Sequence, residues 1–395
     1  MLINGFRYNA VEANIRKPGR PDLGLIVSDT PARVAAVFTT NRVKAAPLLL
    51  DMERLASRGA ARAILINSGV ANACTGASGM VAARECSRLA AARLNIDEEL
   101  VQLASTGVIG EPLPVERFAA AMESLVAGLS PEGYDRVARA MMTTDTISKT
   151  ASRTVTIDNQ PVRLFGLAKG SGMIMPNMAT MLCFVVTDVA AASDVLQGLL
   201  RQGVDSSFNR ITVDGDTSTN DMVLLLANGA AGNREIAAAD APEAEILGRG
   251  LAELLLELAL LIVKDGEGAT KLVTVRVSGA RDDREAEQAA RTIANSPLVK
   301  TAFFGQDANW GRIIAALGRA GVEFDPQRVD IAFNGVTMVR DSLGQGKEAE
   351  RQATEVLRQP SFTVHVDMNS GPGQAEVYTC DFSLDYVKIN ADYRS

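Results

Sequence analysis

Apolar and turn-forming positions alternate over residues 1–45, in LGLIVSDT and then ARVAAVFTT, and predict a strand meander. ARAILINSG at 61–69 is a continuous apolar run of buried-strand type, closed by the small-residue loop NSGVANACTG. Helical spacing predicts helices over 77–93 and 115–128. VQLASTGVIG, between them, fits a strand or a short helical run ending at Thr106-Gly107. YDRVARAMM leads by helical spacing into TTDT at 143–146. SRTVTIDNQPVRLFGLAKG reads as a hairpin, with Val155 and Ile157 alternating before a turn at Asp158, Asn159 and Gln160.

MLCFVVTDVA (181–190) and MVLLLAN (222–228) are buried strands, with a helix from Ser193 between them. LAELLLELALLIV at 251–263 is too short for a bilayer and carries Glu253 and Glu257, so it reads as a buried amphipathic helix. Beyond it come the strand TKLVTVRVSG, the helices DREAEQAARTIANS and NWGRIIAALGRAG, the strand RVDIAFNG, a short helix near 348–358, and FTVHVDMN and AEVYTCDFSLDYVKIN. Asn309 fits a helix start, with Trp310 packed. Strands and helices mixed throughout, with many hairpin-like neighbours, predict an α+β fold of mixed sheets layered with helices. A C-terminal subdomain could open near 270–280.

Composition narrows the function. The chain has 395 residues, 47% of them hydrophobic, and a net charge of −7 without long runs of either sign. That argues against a nucleic-acid partner, which would need a basic face. The N-terminal stretch has no signal-peptide core, so a cytoplasmic protein with no membrane partner is expected. Cys74, Cys86, Cys183 and Cys380 form no CxxC pair and are expected to be reduced and packed. The single histidine, His365, lies in an alternating strand pattern and reads as structural. No metal is expected: DGDTSTND lacks the spacing and terminal glutamate of a calcium loop.

The run KGSGMIMPNMAT, residues 169–180, delivers Thr180 to the mouth of a buried strand. A threonine hydroxyl needs a base, and with His365 set aside no Ser-His-Asp triad has a second member. Cleavage between Ala179 and Thr180 would expose an α-amine with a pKa of about 7.7–8.0, able to take the hydroxyl proton near neutrality. Small Ala179 and the glycines Gly170 and Gly172 permit the turn this needs. The competing reading is a β-branched residue that merely begins a strand. Acyl transfer also needs oxyanion donors, and the Thr106 hydroxyl beside the unhindered Gly107 amide is a candidate pair, or an ordinary turn. Further polar clusters end apolar runs at TTDT, VDGDTSTND, KDGEGATK, FGQDANWGR and KINADYRS.

Taken together, FTTNRVKAAP, INSGVANACTG, STGVIG, MTTDT, AKGSGMIMPNMATML, DGDTSTND, KDGEGATK, FGQDANWGRI and YVKINADYRS resemble the ornithine acetyltransferase family of arginine biosynthesis (glutamate N-acetyltransferase) over almost the whole chain. The resemblance implies a DmpA/ornithine acetyltransferase-like architecture. It implies self-cleavage at Ala179-Thr180 into an α subunit, 1–179, and a β subunit, 180–395, which stay together as an α2β2 heterotetramer. It implies a ping-pong reaction in which Thr180 takes the acetyl group of N-acetylornithine and passes it to glutamate. Thr106 and Gly107 match the oxyanion pair. Thr143, Lys169, Thr180, Glu267, Asn390 and the C-terminal Ser395 match substrate-binding positions.

Those residue types suit the substrate. Lys169 and the Asn390 amide could hold its carboxylate, and Glu267 its ammonium; the bland alternative for Lys169 and Glu267 is a solvated loop charge. The family commonly ends in threonine, so Ser395 keeps the hydroxyl but loses a methyl. No resident cofactor is implied, and acetyl-CoA stays open as a co-substrate. An autoproteolytic amidase or aminopeptidase, passing the acyl group to water, would share the nucleophile and oxyanion hole.

Overall fold

A computed structural model of the chain describes residues 2–16, 18–175 and 181–392. Ala179, Thr180 and Ser395 lie outside the described residues, as does the bond between 179 and 180. The chain divides into two units, one comprising 1–209 with 216–262 and the other 210–215 with 263–393.

The first unit is built on a mixed sheet. Its strands are β1 (Phe6–Val11), β2 (Leu23–Phe38), β3 (Ala60–Val70), β4 (Val101–Val108), β5 (Lys149–Ile157), β6 (Gln160–Lys169), β7 (Leu182–Thr187) and β8 (Met222–Ala227). They lie in the order β4-β3-β2-β8-β7-β6-β5, with β1 against β2. β3–β4 and β7–β8 are parallel, and the other pairs are antiparallel. The β5–β6 hairpin turns at Asp158 and Asn159, both at positive φ, as a two-residue turn with right-handed strand twist requires.

Alternation places the two sets of side chains on opposite faces. Leu23, Leu25 and Val27 pack with Leu65 and Leu103 against Phe118 and Met122 of the helix Val115–Ala127, and against Ala83 and Ala90 of the helix Gly76–Leu94. Ile26, Ile64 and Ile66 join Tyr8, Phe165 and Phe184 in a second cluster. Gly166 lets the helix Pro242–Lys264 approach closely, since a β-carbon there would lie 2.7 Å from Leu258 Cδ1. Glu253 and Glu257 of that helix pair with Arg153, so its buried stripe and polar edge are those its sequence predicted.

The second unit has its own mixed sheet, with β9 (Leu272–Ala280), β10 (Asp330–Phe333), β11 (Val336–Arg340), β12 (Ser361–Asp367) and β13 (Gly373–Cys380) in the order β11-β10-β12-β9-β13. The helix Asp283–Ala294 turns Ala286, Ala289, Ala290 and Ile293 into the core beside Val275 and Val277. Asn309 caps the helix Trp310–Gly318 by accepting the Arg312 N–H, and Trp310 packs against the core, as read from the sequence. His365 shares a 2.8 Å hydrogen bond with Ser278 on the neighbouring strand, consistent with a structural role.

VQLASTGVIG resolves as strand β4. Three helices escaped the sequence pattern: Ala46–Arg58, Pro297–Phe304 and Leu384–Asp392. The first buries Asp51 and Arg54 on its inner face, which breaks the apolar stripe, and the last has no buried residue at all. Cys86, Cys183 and Cys380 are buried free thiols, whereas Cys74 is exposed, correcting the expectation that all four are packed. Cys74 sits at positive φ in the loop after β3, where the chain turns outward. Among the described residues no helix is long and apolar enough to cross a membrane.

Candidate active site

In the first unit the candidate residues gather at strand ends. β3 and β4 run parallel until Gly69 meets Gly107, where the register shifts. Gly107 has φ +130, and a β-carbon there would stand 2.3 Å from the Gly69 carbonyl carbon, so only glycine fits. Thr106 beside it is 7% exposed. A bulge that re-aims the backbone at the end of a strand is where an amide can turn out of the ladder.

Lys169 closes β6 and is 3% exposed, so it is not the solvated loop charge that sequence left open. Its Nζ donates to Thr143 Oγ1 at 3.0 Å and lies 3.8 Å from Asp145 Oδ2. Asp145 is the hub of this cluster. It accepts from Lys149 Nζ and the Gly170 N–H, each at 2.7 Å, and from the Thr143 N–H at 3.0 Å. Burial alone would raise the Asp145 carboxyl, but Lys169, Lys149 and these donors override it and hold it well below the usual carboxylate range. Thr143 and Lys169, twenty-six residues apart in sequence, are thus fixed together by a buried acid that the TTDT motif contains.

The strand after the candidate cleavage point starts in a similar way. The Met181 N–H donates to Asp221 Oδ1 at 2.6 Å, and the Met222 N–H donates back to the Met181 carbonyl at 3.1 Å. Asn220, next to Asp221, donates from Nδ2 to the Ala71 carbonyl at 2.7 Å and to the Ser105 carbonyl at 2.8 Å. Burial pushes the Asp221 carboxyl well above its ordinary range, against the pull of the Met181 N–H and Lys169.

In the second unit, Glu267 is 7% exposed and accepts from Asn390 Nδ2 at 2.7 Å. Asn390 also reaches the Tyr386 carbonyl at 3.0 Å, one turn back on its own helix. The loop carrying Glu267 is pinned there: Ser383 Oγ donates to the Gly268 carbonyl at 2.6 Å, and a β-carbon on Gly268 would meet the Tyr386 amide at 2.5 Å. The structure therefore brings Thr143 and Lys169 together in one unit, and Glu267 and Asn390 in the other.

Asp145, Asn220 and Asp221 were not singled out from sequence. The signal was present, since TTDT and DGDTSTND are polar clusters closing apolar runs, but which of several polar residues turns inward is decided by tertiary packing.

The ArgJ family profile matches residues 7–395. The arginine biosynthesis bifunctional protein ArgJ of Desulfotalea psychrophila is 57% identical over 395 residues, the whole length of both chains. Its counterpart in Geobacter sulfurreducens is 56% identical over 395 residues, again the whole of both. The crystal structure of arginine biosynthesis bifunctional protein argJ from Bacillus halodurans is 43% identical, with a TM-score of 0.51, covering 53% of this chain and 98% of that one.

Proposed function

The chain belongs to the ArgJ family, which bears out the resemblance read from its loops, and we propose that it is a self-processing acetyltransferase of arginine biosynthesis. The observation that carries this is end-to-end identity above one half with relatives named as bifunctional ArgJ proteins.

In this reading the Thr180 hydroxyl attacks the Ala179 carbonyl and the resulting ester is hydrolysed, freeing the Thr180 amine. That amine takes the hydroxyl proton as Thr180 Oγ attacks the acetyl carbonyl of N-acetylornithine. The Thr106 hydroxyl and Gly107 amide stabilise the oxyanion. The amine returns the proton to the departing ornithine nitrogen as the C–N bond breaks. Glutamate's amine then attacks the acetyl-threonine ester, and N-acetylglutamate leaves as Thr180 recovers its proton. Lys169, with Thr143, meets the substrate carboxylate, and Glu267, steadied by Asn390, meets its ammonium. Ser395 completes the substrate set. The cycle uses no resident cofactor, and the bifunctional naming of the relatives fits acetyl-CoA as a second acetyl donor. A cytoplasmic location fits these substrates.

The strand order supports a stable pair of fragments. β7 pairs with β6 across the proposed cut, and β8 pairs with β2, so cleavage would leave residues 1–179 and 180–395 sharing one sheet. Assembly as α2β2 follows the family expectation.

Intact mass tests the maturation step: two fragments meeting at 179/180 are expected, and a single uncut chain for Thr180→Ala. An uncut wild-type chain, or a cut Thr180→Ala chain, sinks self-processing. Incubation with N-acetylornithine tests the chemistry, with N-acetylglutamate forming when glutamate is added. Acetate release indifferent to glutamate would instead establish a hydrolase.

A further inference from the structure

Two adjacent residues of the first unit, Asn220 and Asp221, hold two peptide groups that matter to the proposed reaction. Asn220 Nδ2 grips the Ser105 carbonyl, which belongs to the peptide bond leading into Thr106. Asp221 Oδ1 grips the Met181 N–H, which belongs to the peptide bond joining Met181 to residue 180. The Met181 N–H lies outside the β7–β8 ladder, whose register begins one residue further on at Leu182 and Met222. The segment itself is rigidly seated. The Thr39 N–H donates to the Asp221 carbonyl at 3.0 Å, Thr219 Oγ1 donates to Asn220 Oδ1 at 2.6 Å, and the Asn220 N–H donates to Ser218 Oγ at 3.2 Å.

Asp221 is a costly way to hold the Met181 N–H, even with Thr39 and Ser218 beside its carboxyl. It is 1% exposed, and its second oxygen, Oδ2, has no hydrogen-bond partner among the described residues. A buried carboxyl with an unmatched oxygen is unfavourable unless something other than stability retains it. A peptide plane is rigid, so an anchor on the Met181 N–H fixes the plane of the peptide bond that leads into β7.

We propose that Asp221 is a positioning residue for the nucleophile: paired with Asn220 on the peptide before Thr106, it sets the approach of residue 180 to the oxyanion donors in both self-cleavage and acetyl transfer. The proposal rests on the reading of Thr180 as nucleophile. It makes no use of Asp221 as an acid or base, because the Oδ1 acceptor does the work.

The test uses full-length Asp221→Ala, Asp221→Ser and Asp221→Asn. Cleavage at 179/180 is followed by intact mass, and kcat and KM for N-acetylornithine are measured on the matured fraction, with thermal midpoints alongside. Ala and Ser withdraw the acceptor and are expected to slow cleavage and lower kcat by about 100-fold, the usual cost of a misplaced reacting group, with KM within about twofold. Asn keeps an acceptor oxygen at the same reach and is expected to stay within about threefold of wild type in both rates. If Ala fails to fold, the comparison of Ser with Asn decides. Ala or Ser variants that mature and turn over at the wild-type rate overturn the proposal, as does a folded Asn variant as slow as Ser. A wild-type protein that neither cuts nor transfers acetyl ends the functional reading and this proposal with it, whereas an active wild type beside an equally active Asp221→Ala ends this proposal alone.

Discussion

Asp145 Oδ1 and Lys149 Nζ stand 2.7 Å apart with neither side chain reached by solvent, and the same carboxylate faces Lys169. Removing the acid strands two buried cations. Asp145→Asn is expected to destabilise the protein by about 3–5 kcal/mol, the cost of breaking a buried ion pair from one side. The pH dependence follows from the sign of the shift. The folded carboxyl titrates below its unfolded value of 3.8, so its contribution is complete above that value and is lost as pH falls through it toward the lower folded value. Urea midpoints measured from pH 7 down to the acid limb should show the gap between wild type and Asp145→Asn closing only there. A gap that already closes between pH 7 and 5 would rule the pair out as its source.

Lys169 donates to Thr143 Oγ1 in a site almost without solvent, which suits a carboxylate partner that arrives with the substrate. A charged hydrogen bond contributes about 1.5–3 kcal/mol, so Lys169→Met is expected to raise KM for N-acetylornithine by at least about tenfold. Thr143→Ala, which removes only a neutral partner, should raise it less. Steady-state kinetics over a wide substrate range checks both. An unchanged KM in Lys169→Met would mean that Lys169 serves Asp145 alone.

Much of the fold was legible because burial on one or two faces leaves a periodic trace. β7 and β8 read as continuous apolar runs, and the β5–β6 hairpin announced its turn through Asp158 and Asn159. The helix Ala46–Arg58 did not, because Asp51 accepts the Leu103 N–H and Arg54 reaches the Val101 carbonyl from inside the fold. A polar residue that satisfies a distant backbone group carries no period. The site divides the same way. Gly107, Lys169 and Glu267 lie in distinctive loops and strand ends, while Asp145, Asn220 and Asp221 act through partners 25 to 149 residues away. The residues around Lys169 favoured a solvated loop charge, whereas β6 carries it inward.

Gly107 is constrained twice, by φ +130 and by the Gly69 backbone, which lies 2.3 Å from any added β-carbon. Gly107→Ala must push β3 and β4 apart beside Thr106 and Gly107, the proposed oxyanion donors. Loss of one such donor typically costs about 100-fold to 1,000-fold in kcat, and a comparable loss is expected here, with a lower thermal midpoint. Gly110→Ala is the control. Gly110 has φ +85 but nothing within 4 Å of an added β-carbon, so only the conformational penalty of about 1–2 kcal/mol applies. Measuring kcat and melting for both separates the terms. Equal kcat in the two variants would show that the Gly69–Gly107 contact has no part in catalysis.

Asn390 Nδ2 donates to Glu267 Oε2 at 2.7 Å, so the amide expected to meet the substrate is instead engaged with the residue expected to meet the ammonium. Glu267 is almost buried, and a buried carboxylate that loses a donor is both less stable and less well aimed. Asn390 should therefore act through Glu267. Glu267→Gln and Asn390→Ala are each expected to lower kcat/KM for N-acetylornithine. The double variant should be less impaired than the sum, with a coupling of about 0.5–3 kcal/mol, the range for groups in direct contact. Asn390→Asp sets two carboxylates face to face and should be worse than Asn390→Ala, by repulsion as well as loss. A double-mutant cycle on kcat/KM reads all of this. Strictly additive effects would mean that Asn390 and Glu267 meet the substrate independently, and that the 2.7 Å contact opens when it binds.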